Sequence, residues 1–173
     1  MSQLVLKTGE YIHYGAHGVC QITDIVSRMV GRKREKFFLL RPASDENIEL
    51  LLPIDSEPER VKIRRVMTAE EIKNLVDSEM NQPIKWISDS KLRRESLSKV
   101  MRDGDAAELI RVVKSMHARE MALPEGKSLP MSDMEFAKQA EKQLYNEFHF
   151  VLSIPKEQVI PFILGDYNIS ICD

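Results

Sequence analysis

The sequence lacks the run of about 20 apolar residues that a membrane-spanning helix needs. Its first residues, MSQLVLKTGEYIHYG, also lack the charged and then apolar order of a signal peptide. Cysteine is scarce, because only Cys20 and Cys172 are present, and their wide separation does not favour a disulfide framework. We therefore expect a protein of the reducing cytoplasm that has no membrane partner.

Motifs that carry common enzyme chemistry are missing as well. No glycine-rich phosphate loop precedes a helix, and no serine or cysteine lies in the context of a nucleophile elbow. His13, His17 and Cys20 are spaced as metal ligands could be, but a structural site needs a fourth ligand, and this stretch has the composition of a strand with glycine turns. We therefore expect no enzymatic activity, no metal and no cofactor.

Tryptophan occurs once, at Trp86. A side chain of this size is usually buried, yet Trp86 lies at the start of the most basic segment of the chain. Residues 85–102 contain six Lys or Arg against two Asp or Glu, although the formal net charge of the whole chain is −2. A local excess of this kind favours an anionic partner, which the net charge alone would argue against.

The first third of the sequence has the composition of β-strands. Residues rich in Val, Ile, Leu, Phe and Tyr alternate with glycine and polar turns at 10–26, 35–42, 47–54 and 61–66. Several short strands in about 60 residues predict a small barrel rather than a sandwich. The stretch SRMVGRKREKFF predicts a hairpin whose first strand is an exposed edge.

From Thr68 the hydrophobic period becomes helical. The stretch TAEE predicts a capping box between Thr68 and Glu71, and a second box is predicted from Ser132 to Glu135. Gly104 is expected to end one helix, and Asp105 to cap the next. The predicted helices cover residues 68–80, 89–104, 105–121, 132–152 and 155–165. The fold class is therefore α+β with two domains, a small β-barrel over 1–66 and an all-α domain of about five helices over 67–173.

The predicted helix after Trp86 is amphipathic. At about 100° per residue, its cations and its apolar residues separate onto two sides. The cationic sector contains Lys91, Arg94 and Arg102, and the apolar side contains Leu92, Leu97 and Val100. One interpretation is a solvated helix face, with Trp86 packing the helix onto its neighbours. The other is that Trp86 is exposed as a stacking or wedging residue beside phosphate-binding cations.

The order of motifs resembles the CarD/CdnL family of bacterial transcription regulators. The stretch GEYIHYGAHGVCQITDI is similar to the opening of that family, with Gly9-Glu10, Tyr14 and the His17-Gly18 turn. LLLPI is similar to a later strand, and the region from Trp86 through SLSKVMRDGDAAELIRVVKSMHARE is similar to the second and third helices. SLPMSDMEFAKQAEKQL is similar to the fourth helix, so the resemblance covers nearly the whole chain in order.

This resemblance implies a fold and a function. The N-terminal domain is expected to be a Tudor-like or SH3-like barrel, of a type also found in transcription-repair coupling factors. It should dock on the β subunit of RNA polymerase through an edge strand at Arg28, Met29 and Val30. The helical domain is expected to contact the minor groove of promoter DNA at the upstream edge of the transcription bubble. The resemblance places Trp86 and Lys91 at the DNA, and together with the other cations of the basic segment the expected DNA-binding residues are Trp86, Lys85, Lys91, Arg93, Arg94 and Arg102. A wedging Trp86 should be largely exposed in the free protein.

Two alternatives remain open. The family usually follows its tryptophan with paired arginines and an aromatic residue, whereas this chain has Ser88, Asp89 and Ser90. This difference favours an adaptor that binds polymerase without significant DNA binding. A barrel module that binds RNA or the ribosome is the other alternative, because small barrels serve that role too.

Overall fold

The computed structural model describes residues 5–56, 62–83 and 85–166. The chain divides into two compact units, Met1–Val66 and Met67–Asp173. Strands lie in the first unit and α-helices in the second, so the α+β organisation is confirmed. Within the described ranges, no helix is both long and apolar enough to cross a membrane.

The N-terminal unit is a five-stranded antiparallel sheet with the strand order β4-β3-β2-β1-β5. The strands are β1 (Tyr11–Tyr14), β2 (Val19–Val30), β3 (Lys33–Pro42), β4 (Leu50–Pro53) and β5 (Ile63–Arg65). The predicted hairpin is present, because β2 pairs with β3 as far as Val30 opposite Lys33. Gly31 begins the two-residue turn with a φ of 63°, a conformation that glycine adopts without the strain imposed by a Cβ.

A β-bulge divides β2 into an inner and an outer half. The register with β3 shifts between Ile22 and Asp24, and the intervening Thr23 donates its hydroxyl hydrogen bond to the Leu39 carbonyl at 3.1 Å. The inner half contributes to a core formed by Ile12, Cys20, Ile22, Phe38, Leu40 and Leu52. Beyond the bulge the residues of β2 are mostly exposed. β4 still pairs with β3 opposite Asp24–Val26, and the β2–β3 hairpin continues past β4 as a two-stranded ribbon from Arg28 to Val30 and from Lys33 to Glu35.

The helical unit contains α1 (Ala69–Met80), α2 (Ser90–Asp103), α3 (Ala106–Met121), α4 (Met131–Leu152) and α5 (Lys156–Leu164). Three predicted helix boundaries are confirmed. Thr68 and Glu71 form the reciprocal capping box of α1, Gly104 ends α2 in the left-handed conformation, and Asp105 caps α3 through the Glu108 amide. These contacts satisfy backbone groups that a helix end leaves without intrahelical partners.

The predicted capping box from Ser132 to Glu135 is wrong. The N-cap of α4 is Pro130, which makes no side-chain cap, and the helix already includes Met131. Ser132 therefore lies inside the first turn, where its hydroxyl cannot act as the N-cap acceptor. The next residue, Asp133, directs its carboxylate to another helix, as described below.

The helices enclose one apolar core. The largest fully buried side chains in it are Phe148, Ile72, Ile110, Leu144, Ile163, Val76 and Val159. Three carboxylates of this unit are buried, those of Glu79, Asp133 and Glu147. Glu147 accepts a hydrogen bond from the Met67 amide at 2.9 Å, and Glu79 holds Arg111 of α3. Each gives a buried polar group a partner, which limits the cost of taking it out of water.

The buried Cys20 gives the N-terminal unit a testable pH dependence. Burial raises the pKa of this thiol from an ordinary 9.0 to about 11. As pH rises, the unfolded chain therefore releases the thiol proton first, and the folded state loses stability across that interval. Its contribution is fully present below pH 9 and falls between pH 9 and about 11, by on the order of 2 kcal/mol.

This contribution is measured by urea unfolding at several pH values. Two proteins are compared, the Cys172→Ser variant and the same variant with the additional change Cys20→Ala. We expect the difference in unfolding free energy between the two proteins to be constant below pH 9 and to shrink above it. A difference that stays the same up to pH 11 would contradict the assignment.

Candidate protein and nucleic-acid interfaces

The outer half of β2 offers an open strand edge. One side of β2 is paired with β3 along its length. On the other side, β1 pairs only with Val19–Gln21, and Ile22 is bonded to the backbone of Gly9 and Glu10. No described strand pairs with that side from Asp24 to Val30, which leaves a strand edge open to a partner strand. The N–H of Ile25 donates to the carboxylate of Asp24 at 2.7 Å.

Arg28, Met29 and Val30 lie in this open half of β2, and all three are exposed. Met29 retains 62% of its accessible surface and Val30 49%. Because side chains alternate along a strand, Arg28 and Val30 share one face and Met29 points to the other. Arg28 lies opposite Glu35 on β3, Met29 opposite Arg34 and Val30 opposite Lys33. The ribbon therefore combines apolar side chains with a basic turn.

Trp86 lies in the short segment that leads from α1 into α2. The indole is partly buried and packs against the helical core, so the expectation of a largely exposed side chain is wrong. It forms one wall of a groove of about 500 Å³, which is lined by the segment between α1 and α2, by α2 and by α3. Its mixed environment explains why neither simple alternative fits: the ring contributes to packing and also borders an open groove.

Arg93 holds the segment that carries Trp86. The residue is only 8% exposed, and its Nε and Nη2 donate to the Asp133 carboxylate of α4, with Nη2 to Oδ2 at 2.9 Å. Its Nη1 donates to the Ile87 carbonyl at 2.7 Å and to the Ser88 carbonyl at 3.2 Å. The guanidinium carbon lies 4.6 Å from the centroid of the Trp86 ring, within the range of a cation–π contact.

These contacts change the role of Arg93. Its nitrogens are directed to Asp133 and to the two carbonyls, and its side chain is buried, so we no longer expect it to contact DNA phosphates. A second cation was missed by the sequence analysis, since the guanidinium carbon of Arg119 lies 5.5 Å from the indole centroid. Arg119 is on α3, and no local pattern links it to Trp86, so only the packing of the helices brings them together.

The outward surface of α2 carries the predicted cations. The helix buries Arg93, Leu97 and Met101, which follow one another every four residues. Lys91, Arg94 and Arg102 are therefore directed away from the core and are exposed, and Lys85 is exposed next to Trp86. Leu92 was assigned to the apolar side, but it is 58% exposed, because the buried face follows Arg93, Leu97 and Met101 and Leu92 lies outside it.

A second ion pair joins α3, which lines the groove, to α1. Arg111 of α3 binds both carboxylate oxygens of Glu79 on α1, at 2.7 and 2.8 Å, and Lys114 donates to the Glu79 carbonyl. The hydrogen bond to Glu79 raises the pKa of Arg111 above its ordinary value, so this group stays charged. Sequence reasoning missed this pair, since its members lie 32 residues apart.

The histidines and cysteine of the N-terminal unit do not gather around a common point. His13 and Cys20 are buried, whereas His17 is exposed and stacks obliquely near the Tyr14 ring at 5.2 Å. Among the described residues, no group of three or more His, Cys, Asp or Glu side chains is arranged to hold a metal ion.

The N-terminal unit matches a known protein-interaction domain. Residues 6–67 match the family model of the CarD-like/TRCF RID domain, which spans the five strands described above. No curated protein matches the sequence. Domains of this family have a Tudor-like fold and are RNA polymerase-interacting modules of transcription-related proteins. The match covers the open edge of β2 together with the sheet that supports it, and residues 6–67 are therefore similar to a CarD-like/TRCF RID domain.

Proposed function

We propose that this protein is a non-enzymatic regulator that binds the β subunit of bacterial RNA polymerase and promoter DNA together. The DNA contact lies at the upstream edge of the transcription bubble and shifts the stability of the open complex. The main support for DNA binding is the position of Trp86, the only tryptophan, which lies on the wall of a groove beside exposed cations.

Docking on polymerase uses the open edge of β2. A partner strand that adds to this edge would pair with backbone groups of residues 24–30, and its specificity would come from alternate side chains. Arg28 and Val30 face the partner on one side of the ribbon, and Met29 adds apolar area on the other. The family match over residues 6–67 supports a polymerase partner for this unit.

DNA binding uses the outward surface of α2 and the segment before it. Lys85, Lys91, Arg94 and Arg102 contact phosphates, which positions the helical unit without reading sequence. The accessible part of the Trp86 indole stacks on a distorted base step in the minor groove. Since most of the ring's support comes from the protein, binding orders few additional side chains, which lowers the entropic cost of association.

Each contact can be weak when it acts alone. Because both units belong to one chain, docking on polymerase raises the effective concentration of the helical unit at the promoter. Preferential binding to the opened junction shifts the equilibrium between closed and open promoter towards the open form. The size of the shift is limited by the difference in affinity for the two forms.

A protein-only adaptor on polymerase is the second candidate. It is favoured by Arg93, whose charge is neutralised by Asp133, and by Asp89, whose carboxylate caps α2 close to Trp86. Both observations reduce the positive potential around the indole. The salt dependence of DNA binding separates the two candidates, as set out below.

Reversal of charge at Arg28 tests the polymerase contact. We expect Arg28→Glu to weaken binding to the isolated lobe of the β subunit by about tenfold, as for an interface residue of moderate importance. Lys7→Glu is the matched control, because Lys7 is exposed in the same unit but does not belong to β2. Affinity is measured by biolayer interferometry, and circular dichroism checks the fold. Equal affinities of wild type and Arg28→Glu would remove Arg28 from the interface.

Neutralisation of the outward cations of α2 tests the DNA contact. The triple variant Lys91→Gln, Arg94→Gln, Arg102→Gln should bind promoter DNA more weakly whatever its sequence. If each residue contacts one phosphate, the slope of log affinity against log salt should flatten by about one unit per residue. Titrations of the full chain with polymerase and fluorescent forked DNA at several salt concentrations give this slope.

The matched control removes three exposed lysines of α4 and α5, with Lys138→Gln, Lys142→Gln and Lys156→Gln. It should leave the slope close to that of the wild type. If both triple variants flatten the slope equally, or if neither does, the surface of α2 is only a solvated helix face, and the adaptor function is favoured.

A further inference from the structure

Arg93 and Asp133 form the most buried Arg–carboxylate pair described in the chain. Their side chains retain 10% and 5% of their accessible surface, respectively. They join the first turn of α2 to the first turn of α4, which are 40 residues apart in the sequence. A pair of this kind adds little net stability against well-packed apolar residues, so its presence calls for another explanation.

The geometry of Arg93 explains why this buried ion pair is present. Guanidinium groups carry five donors in a rigid fork, and here the fork is divided between two targets. One side binds the Asp133 carboxylate, and Nη1 binds the backbone carbonyls of Ile87 and Ser88, the two residues that follow Trp86. The planar group also lies against the indole itself, at 4.6 Å from its centroid. Asp133 therefore orients Arg93, and Arg93 fixes both the backbone and the ring of the tryptophan segment.

We propose that Arg93 and Asp133 are positioning residues that hold Trp86 in its DNA-binding orientation before DNA arrives. This role rests on the proposed function, since it concerns the same indole. Arg93 acts through Trp86 and does not itself contact a phosphate. Lysine cannot replace it, because a single ammonium group has no fork with which to bind the carboxylate and the two carbonyls in this planar arrangement.

The first test replaces both partners with apolar residues, in the variant Arg93→Met, Asp133→Leu. This exchange removes the pair without leaving an unpaired buried charge, so the fold should survive. Trp86 is the only tryptophan, and its fluorescence therefore reports on this segment alone. We expect acrylamide quenching of the free protein to increase and the fluorescence anisotropy to fall, with an unchanged far-ultraviolet circular dichroism spectrum.

The matched control removes the other Arg–carboxylate pair of the groove with Arg111→Met, Glu79→Leu. This pair makes no described contact with the indole ring, and the quenching of Trp86 should stay near the wild-type value. Arg93→Lys provides a second variant that keeps the charge opposite Asp133 and should raise the quenching as well. If the apolar double variant does not fold, the quenching of the Arg93→Lys variant tests the proposal instead. Unchanged quenching in a folded Arg93 variant, or an equal increase in the control, would overturn the proposal.

A double-mutant cycle then separates positioning from direct contact. In the wild-type background, loss of the pair should weaken binding to forked DNA by at least about twofold, the lower end of couplings between residues in contact. In a Trp86→Leu background the same change should have no further effect. Additive losses would show that Arg93 acts on DNA directly and would overturn the proposal. If quenching rises but Trp86→Leu leaves DNA binding unchanged, the positioning role stands and the proposed DNA contact fails.

Discussion

The buried ion pair between Arg93 and Asp133 supports the segment on which the helical unit presents Trp86. Arg93 lies on the inner face of α2 together with Leu97 and Met101, and the burial of these three side chains sets the rotation of the helix about its own axis. With that rotation, Lys91, Arg94 and Arg102 are directed to solvent. Loss of only one partner would leave a buried charge uncompensated, at a cost of about 3–5 kcal/mol. The same pair holds the backbone after Trp86, so the cations and the indole share one support.

In the N-terminal unit, the exposed surface is the open edge of β2, and it arises from the different lengths of the strands. The core of this unit extends as far as Phe38 of β3, which lies opposite Ile25, and from the bulge at Thr23 onwards the residues of β2 are mostly exposed. β4 supports β3 as far as Phe37, and the tip of the hairpin beyond it is stabilised mainly by pairing between its own two strands. Because β1 ends its pairing at Gln21, one edge of β2 stays open among the described residues. Open edges invite unspecific pairing. Here the basic turn around Arg32, Lys33 and Arg34 disfavours pairing with another copy of the same edge.

Local features were predictable from the sequence because they depend on neighbouring residues. The hairpin at Gly31, the capping box of Thr68 and Glu71, and the boundary at Gly104 and Asp105 each follow from backbone and side-chain chemistry within a few positions. For residues 6–67, the resemblance to the CarD/CdnL family, based on ordered motifs, is supported by the match to the CarD-like/TRCF RID domain.

The remaining features depend on packing between distant segments. Arg93 was assigned to DNA because its partner, Asp133, lies on another helix, and Ser132 was assigned as a cap because the start of α4 at Pro130 was not foreseen. The exposure of Leu92 and the partial burial of Trp86 follow from the same rotation of α2. A helical wheel gives the relative angles between residues, but it does not give the direction of the core when apolar residues are few.

The central claim is that one chain holds polymerase while Trp86 stacks at the opened promoter junction. The lifetime of open complexes, measured after challenge with a competitor, tests it most directly with wild type and Trp86→Leu, which keeps an apolar side chain but removes the stacking ring. A stacked aromatic residue contributes about 1–3 kcal/mol, so Trp86→Leu should remove most of the effect of the wild type on open-complex lifetime at equal occupancy of polymerase. If Trp86→Leu changes the lifetime as much as the wild type does, Trp86 does not act on the promoter, and the account is contradicted.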